Sequence, residues 1–290
     1  MVQENTIEGR NAPYQVTSLK LGAVVTGVDL ADVSEDVDKE LIKQIIADTH
    51  RYGLLIFRAQ HSMSPTKHVQ IAGWFAPVAE AGQRPHKKAP NRFISRLSND
   101  KNEGITGVGI NGWHIDGTYL QCPHLISAYH MVHIPHNGRT STRFVSLNDV
   151  YSNLTADQRE RWLNVTAVYR NGVKHALVCV HPVTGTTTLT FHSAYMKEFL
   201  LQDRGKDRLL NEEEKRSLLN EIQESIVADN EKFVYEHQWQ PGDFLLSDNL
   251  ALGHEAGRNS ARDRSEIGLR VLHRVSTEGM QTTARKAALH

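Results

Sequence analysis

Gly112-Trp-His-Ile-Asp-Gly-Thr118 sets an imidazole, His114, and a carboxylate, Asp116, two residues apart. On extended backbone, positions i and i+2 share a face, so both side chains reach one point in space. A second histidine would complete three neighbouring corners of an octahedron, the arrangement of two histidines and one carboxylate that holds non-haem Fe(II) and leaves three corners open. His254 supplies it. It ends the stretch Trp239-Gln-Pro-Gly-Asp243-Phe-Leu-Leu-Ser-Asp248-Asn249-Leu-Ala-Leu-Gly-His254, in which a Pro-Gly-Asp turn feeds a strand, and Arg270 and Arg274 follow in Gly268-Leu-Arg-Val-Leu-His-Arg274. With 16 histidines and 33 acidic residues among 290, His-x-Asp/Glu is expected about twice by chance, so the tripeptide alone proves little. It occurs once. Its weight comes from the order of parts: tripeptide, long spacer, turn and strand, lone histidine, two spaced arginines.

A chain of 290 residues can bury a large core, and β-rich domains of this size often stay undivided, so residues 1–290 read as one domain with helical insertions. The 33 basic residues equal the 33 acidic ones. No overall field attracts a polyanion, and no basic run with interleaved aromatics suggests a nucleic-acid groove. Two cysteines, Cys122 and Cys179, make neither a disulfide framework nor a paired zinc spacing, and read as reduced thiols. The first residues lack a basic region followed by an apolar stretch, and nowhere do eighteen apolar residues run together. A cytoplasmic location without membrane partners is the expectation; homo-oligomer formation stays open. The first dozen residues and the tail from about Thr277 read as loosely held.

Ser34 reads as the cap of a helix whose Leu41, Ile42, Ile45 and Ile46 recur at helical spacing and which Gly53 ends. Ser64-Pro65 opens a second helix through Phe75. Thr155 with Gln158, and Asn211 with Glu214, read as capping boxes for helices near 156 to 163 and 212 to 227. Between them lie strand-like runs at Leu54 to Phe57, Ile126 to Val132, Arg143 to Leu147, Val165 to Tyr169, Ala176 to Val180, Thr187 to Phe191, Phe244 to Ser247 and Leu269 to Val275. Many short strands with helices outside the repeating pattern predict a mainly β fold with α insertions, a double-stranded β-helix or jelly roll. His130 and His133, three apart on one strand, read as structural. His175, His181, His192 and His273 are not read as ligands, and Trp113 reads as a packing residue.

Further stretches are Leu21-Gly-Ala-Val-Val-Thr-Gly27-Val-Asp29-Leu, Tyr52-Gly53-Leu-Leu-Ile-Phe-Arg58-Ala-Gln60, Gly138-Arg-Thr-Ser-Thr142-Arg-Phe-Val-Ser146 and His181-Pro-Val-Thr-Gly185. With the metal motif and the His254 to Arg274 block, they resemble the taurine dioxygenase and 2,4-dichlorophenoxyacetate dioxygenase family of Fe(II)/2-oxoglutarate-dependent oxygenases. The resemblance implies that His114, Asp116 and His254 hold the iron and that Arg270 pairs with the distal carboxylate of 2-oxoglutarate. A threonine shares that carboxylate; Thr142 sits at the matching place, with Thr140 as its rival. Arg274 falls where such enzymes place a cation for an anionic substrate group. Asn111, Tyr119 and His192 are further pocket candidates, with Asn111 taken as substrate-binding. Ala59 stands where the family usually has glycine.

The implied reaction consumes dioxygen and 2-oxoglutarate, releases succinate and carbon dioxide, and oxidises an aliphatic C–H bond of a small, anionic substrate. Halogenating relatives have a small residue where Asp116 stands, so hydroxylation is the expected outcome, with desaturation or isonitrile formation as alternatives. A zinc hydrolase would also use two histidines and a carboxylate, but there is no His-Glu-x-x-His helix, and that reading leaves Arg270 without a role. A non-catalytic jelly-roll binding protein would need none of the three ligands in register.

Overall fold

The computed structural model describes residues 14–82, 85–135, 140–203, 205–260 and 262–284. It is mainly β, with four sheets and several helices. The largest sheet has seven strands in the order Gln15–Ser18, Ala23–Thr26, Leu54–Phe57, Phe244–Asp248, Ile126–His133, Val271–Ser276 and Ser95–Ser98. Only Ala23–Thr26 and Leu54–Phe57 run parallel. Leu54–Phe57 and Phe244–Asp248 are buried along their whole length. That suits a pair of central strands covered on both faces.

Alternation along these strands divides the core. Leu55, Phe57, Ala128, Leu246 and Val275 pack with Ile45 and Ile71, from the helices Lys39–Tyr52 and Pro65–Gly73. Their neighbours Leu54, Ile56, Tyr129, Leu245 and Leu272 point the other way and pack with Phe144 and Leu252. These last two belong to a three-stranded sheet, in the order Val234–Gln238, Ser141–Ser146, Leu252–Ala256. The larger sheet is thus covered by helices on one face and by the smaller sheet on the other. The remaining sheets, including Val165–Tyr169 beside Met196–Asp203, belong to the part of the chain that packs around Trp162, Phe191 and Phe199.

Local chemistry explains where most helices begin. Ser64 accepts a hydrogen bond from the Lys67 amide and Pro65 occupies the first turn. Both expected capping boxes are formed, Thr155 with Gln158 ahead of Ala156–Leu163 and Asn211 with Glu214 ahead of Glu212–Ile226. The first helix differs from its expected start: it begins at Lys39, after Asp38, and Ser34 does not cap it. The Asp38 carboxylate instead accepts from the Ser34 amide, which closes a turn before the helix. Gly53 ends that helix at φ +73. Elements without a counterpart in the sequence reading include the helices Leu147–Asn153 and Arg264–Ile267, the hairpin Met196–Asp203 with Lys206–Leu209, and the strands Ser95–Ser98, Val234–Gln238 and Leu252–Ala256.

From Thr277 to Ala284 the tail is more tightly held than expected, and residues 285–290 lie outside the described ones. Thr277 is fully buried, its hydroxyl accepts from the Ile126 amide, its carbonyl accepts from His124 Nδ1, and Thr283–Ala284 pairs with Val180 and Cys179. The first dozen residues lie outside the described ones. Cys122 and Cys179 are free. Among the described residues no helix is long and apolar enough to cross a membrane.

Two positions carry stability predictions. Ala59 has φ +57, a region that costs an L-residue about 1 kcal/mol or more and glycine nothing. Ala59→Gly should therefore raise unfolding free energy by roughly 0.5 kcal/mol, net of the entropy glycine adds to the unfolded chain; a loss of stability in urea titration would contradict this. His68, 1 % exposed, donates Nε2–H to the Ala128 carbonyl, and burial pushes its pKa down to about 3. Between that value and about 6.5 the unfolded chain binds a proton that the folded chain refuses, so stability falls as pH falls. At pH 5 the loss should be about 2 kcal/mol relative to pH 8. His68→Leu should lose correspondingly less over that interval; equal losses in parent and variant would sink the assignment.

Candidate metal centre and cosubstrate cavity

His114 lies between two segments of the chain, those of His192 and His254. Its amide donates to the His254 carbonyl at 3.0 Å and its carbonyl accepts from the His254 amide at 2.8 Å, while it also bridges to His192. Two histidines far apart in sequence become direct cross-strand neighbours, with ring centroids 4.4 Å apart. The expectation of extended backbone holds at His114 but not through the tripeptide: Asp116 opens a turn. Gly117 continues it at φ +81, and a Cβ there would meet His124 at 2.8 Å. The turn still brings the carboxylate to the histidines, with Asp116 Oδ2 3.5 Å from His254 Nε2. One donor atom from each of His114, Asp116 and His254 lies within 4.8 Å of the other two, and all three residues are buried.

Protonation suits a metal. The His114 ring donates Nδ1–H to the Gly112 carbonyl at 2.8 Å, which leaves Nε2 with a free lone pair. Burial first, and His254 beside it second, push the His114 pKa down to about 3, so the ring is neutral. Burial alone would raise the Asp116 pKa. The Arg274 guanidinium, followed by His254, holds it well below the usual carboxylate range, and the group is ionised. Two imidazoles and one carboxylate, with no further donor in the cluster among the described residues, fit a divalent metal bound at one face.

A second cluster of the same composition, His50, His181 and Asp248, also brings donor atoms within 4.8 Å. Its hydrogen bonds argue against a metal. His181 Nδ1 accepts from the amides of Val183 and Thr184, which fixes the proton on Nε2, and that N–H donates to Asp248 at 2.9 Å. His50 Nδ1 donates to the other carboxylate oxygen at 2.7 Å. The two ring nitrogens that face Asp248 carry the protons of these hydrogen bonds and so offer a metal no lone pair.

A cavity of about 120 Å³ opens beside His114 and His254. Leu272 and Arg274 line it from the strand Val271–Ser276, Arg270 from the residue just before that strand, Thr142 and Ala256 from the smaller sheet, and Tyr129 from the strand Ile126–His133. Arg270 is the unusual member. It is 8 % exposed, its Nε is buried without a partner, and no carboxylate pairs with it among the described residues. Burial alone pushes its pKa down to about 10. Its backbone is held by Asn99 and Ser98, so the guanidinium cannot easily retreat to water. A buried cation without an anion carries a desolvation cost that a carboxylate ligand would relieve.

The other expected residues divide. Thr142 lines the cavity, its hydroxyl accepting from Trp239 Nε1 at 3.0 Å, whereas Thr140 points to Ser260 at 3.0 Å and does not line it. Arg274 also lines it, and its Nη1 donates to both Asp116 oxygens, at 2.7 and 2.8 Å. Its Nε has no partner. Asn111 is exposed and outside the cavity lining, although Ile110 belongs to it. His192 stacks on His114 at 4.6 Å between centroids, and Tyr195 packs on His192 at 4.0 Å. Tyr129 was not read from the sequence; its hydroxyl lies 3.5 Å from His254 Nε2. An aromatic residue within a strand carries no signal that separates a cavity wall from core.

The family model for the taurine catabolism dioxygenase TauD, TfdA family matches residues 12–275. The chain is 24% identical to pentalenolactone F synthase of Streptomyces arenae, over 81% of this chain and 86% of that protein. It is likewise 24% identical to an alkylsulfatase of Acinetobacter baylyi, over 91% of this chain and 84% of that one. Among solved structures, a putative alpha-ketoglutarate-dependent taurine dioxygenase from Burkholderia xenovorans superposes with a TM-score of 0.74 at 24% identity, covering 95% of this chain and 99% of that one.

The unpaired charge gives a test that needs no activity. Arg270→Met should stabilise the ligand-free protein by roughly 1 to 3 kcal/mol, since it removes a buried, unsatisfied cation. Denaturant titration without cosubstrate measures this; destabilisation of similar size would mean that Arg270 has a stabilising partner in the protein.

Proposed function

Because the chain belongs to the taurine catabolism dioxygenase TauD, TfdA family and is a 2-oxoglutarate-dependent dioxygenase, we propose that it oxidises an aliphatic C–H bond of a small, anionic substrate, by hydroxylation. The observation that carries this reading is Arg270, a buried guanidinium without an anion in the cavity that His114 and His254 also line. We read the facing seven-stranded and three-stranded sheets, with His114 adding to the edge of the smaller one, as a double-stranded β-helix.

In this reading His114, Asp116 and His254 hold Fe(II) and leave its other positions open. Iron, dioxygen and 2-oxoglutarate together supply an oxidant strong enough to break an aliphatic C–H bond, the 2-oxo acid leaving as succinate and carbon dioxide. The residues do the rest. Arg270 offers a planar fork matched to the distal carboxylate of the cosubstrate, and the Thr142 hydroxyl adds a second contact. Thr142 is preferred to Thr140 because it alone of the two lines the cavity. Arg274 neutralises Asp116 through Nη1 and keeps Nε free of partners, which supports a second role as the cation that orients the substrate's anionic group. The buried setting limits water around these charges and strengthens them. The alkylsulfatase relative, by its name, acts on a sulfate ester, which supports an anionic substrate. A zinc hydrolase would leave the buried Arg270 unexplained.

Substitution separates these roles. His114→Ala, Asp116→Ala and His254→Ala should each abolish iron-dependent succinate formation while the fold survives; near-normal turnover and metal content in any one would refute the triad. Arg270→Ala should raise the 2-oxoglutarate requirement roughly ten- to a hundred-and-fifty-fold, the equivalent of about 1.5 to 3 kcal/mol for a charge-assisted contact. Thr142→Ala should raise it less, and an effect of Thr140→Ala alone would move the role to Thr140. Arg274→Gln should spare 2-oxoglutarate binding and uncouple succinate release from substrate oxidation; normal coupling would leave Arg274 as a partner of Asp116 only.

A further inference from the structure

Asp116 sits in a turn, yet as a metal ligand its carboxylate must be held in place, and the side chain that holds its backbone comes from another part of the chain. Asn249 Oδ1 accepts from the Asp116 amide at 2.8 Å, and Asn249 Nδ2 donates to the Asp116 carbonyl at 3.0 Å. The same Nδ2 donates to the His124 carbonyl at 2.7 Å. One carboxamide thus grips Asp116 on both sides and ties it to the segment that begins the central strand Ile126–His133. Asn249 is 1 % exposed and all its side-chain hydrogen-bonding atoms are engaged.

Asn249 is itself held by its neighbour. The Asp248 carboxylate accepts from the Leu250 and Ala251 amides, from His181 and from His50, while the Asp248 amide donates to the Gly53 carbonyl. Burial would raise the Asp248 pKa, but the hydrogen bonds from His181 and His50 hold it below its usual value. The turn 248–251 so fixed leads directly into Leu252–Ala256, which carries His254. A single buried turn stands between two of the three candidate ligands.

We propose that Asn249 is a positioning residue for the metal centre, setting the Asp116 carboxylate through its backbone, and that Asp248, with His50 and His181, fixes Asn249. This rests on reading His114, Asp116 and His254 as the metal site. It gives the second His-His-Asp cluster a task other than metal binding: it braces the first. Partners behind metal ligands commonly govern affinity by ten- to a hundred-fold.

The test measures Mn(II) affinity of the full chain by calorimetry, without 2-oxoglutarate, beside thermal unfolding. Asn249→Ala should weaken Mn(II) binding about ten- to a hundred-fold. Thr188→Val serves as the comparison, because it deletes a buried hydrogen bond from Thr188 Oγ1 to the Leu250 carbonyl in the same turn without touching Asp116. It should lower the melting temperature while leaving Mn(II) affinity within about threefold of the parent. Should Asn249→Ala fail to fold, Asn249→Asp replaces it: the isosteric side chain keeps an acceptor for the Asp116 amide, loses both donors, and should show the same loss of affinity. Parent-like Mn(II) binding by a folded Asn249 variant overturns the proposal, as does an equal loss of affinity in Thr188→Val, which would mark a general effect of destabilising the turn. Asp116→Ala separates the underlying reading. If it binds Mn(II) as the parent does, the site assignment fails, whatever Asn249 does.

Discussion

The backbone pair between His114 and His254 is the constraint on which the rest of the site depends. Two hydrogen bonds, 3.0 and 2.8 Å long, fix the two residues opposite each other. The register that does this also pairs His254 with Phe144 and Ala256 with Thr142 on the next strand. Thr142 therefore lies two positions along from the metal cluster, on the cavity side. Because side chains alternate faces, a slip of Leu252–Ala256 by one residue would turn His254 and Ala256 away from the cavity together. The strand is held against such a slip by Leu252, packed in the core between the two sheets.

Charge is distributed unevenly around that pair. Asp116 is matched by Arg274, whereas Arg270 has no match among the described residues. A divalent metal would add positive charge beside the Asp116 and Arg274 pair, and an anionic cosubstrate would then meet two unsatisfied demands at once, from the metal and from Arg270. Metal and 2-oxoglutarate should accordingly bind with positive coupling, each stabilising a charge the other leaves exposed. The ligand-free protein carries the cost of the buried cation, as functional sites often do.

Much of this was legible in the sequence because the informative residues are chemically distinctive. His-x-Asp, the late His254 and the spaced arginines carry ligand chemistry in their residue types, and Ser64, Thr155 and Asn211 announce helix starts through capping. The unread parts depend on tertiary contact. Leu252–Ala256 is a strand because it pairs with Ser141–Ser146, and its short Leu-Gly-His-Glu-Ala run has little strand propensity of its own. Asp248 and Asn249 could be quoted as a motif, but their partners at positions 50, 116, 124 and 181 are assembled only by the fold. Ser34 does not cap the first helix because it sits in a turn ahead of it, its amide donating to the Asp38 carboxylate and its carbonyl accepting from the Asp38 amide, so that the helix starts only at Lys39. Asn111, expected to bind substrate, is exposed and outside the cavity lining, and Gly112, at φ +90, stands between it and His114.

The most direct measurement of the central claim is calorimetric binding of 2-oxoglutarate to the purified protein under anaerobic conditions, with and without Mn(II), in the parent and in Arg270→Ala. Tight binding is expected only when both the metal and Arg270 are present, with the metal affinity rising reciprocally when 2-oxoglutarate is bound. Equal 2-oxoglutarate affinity with and without metal, or in parent and variant alike, would contradict it.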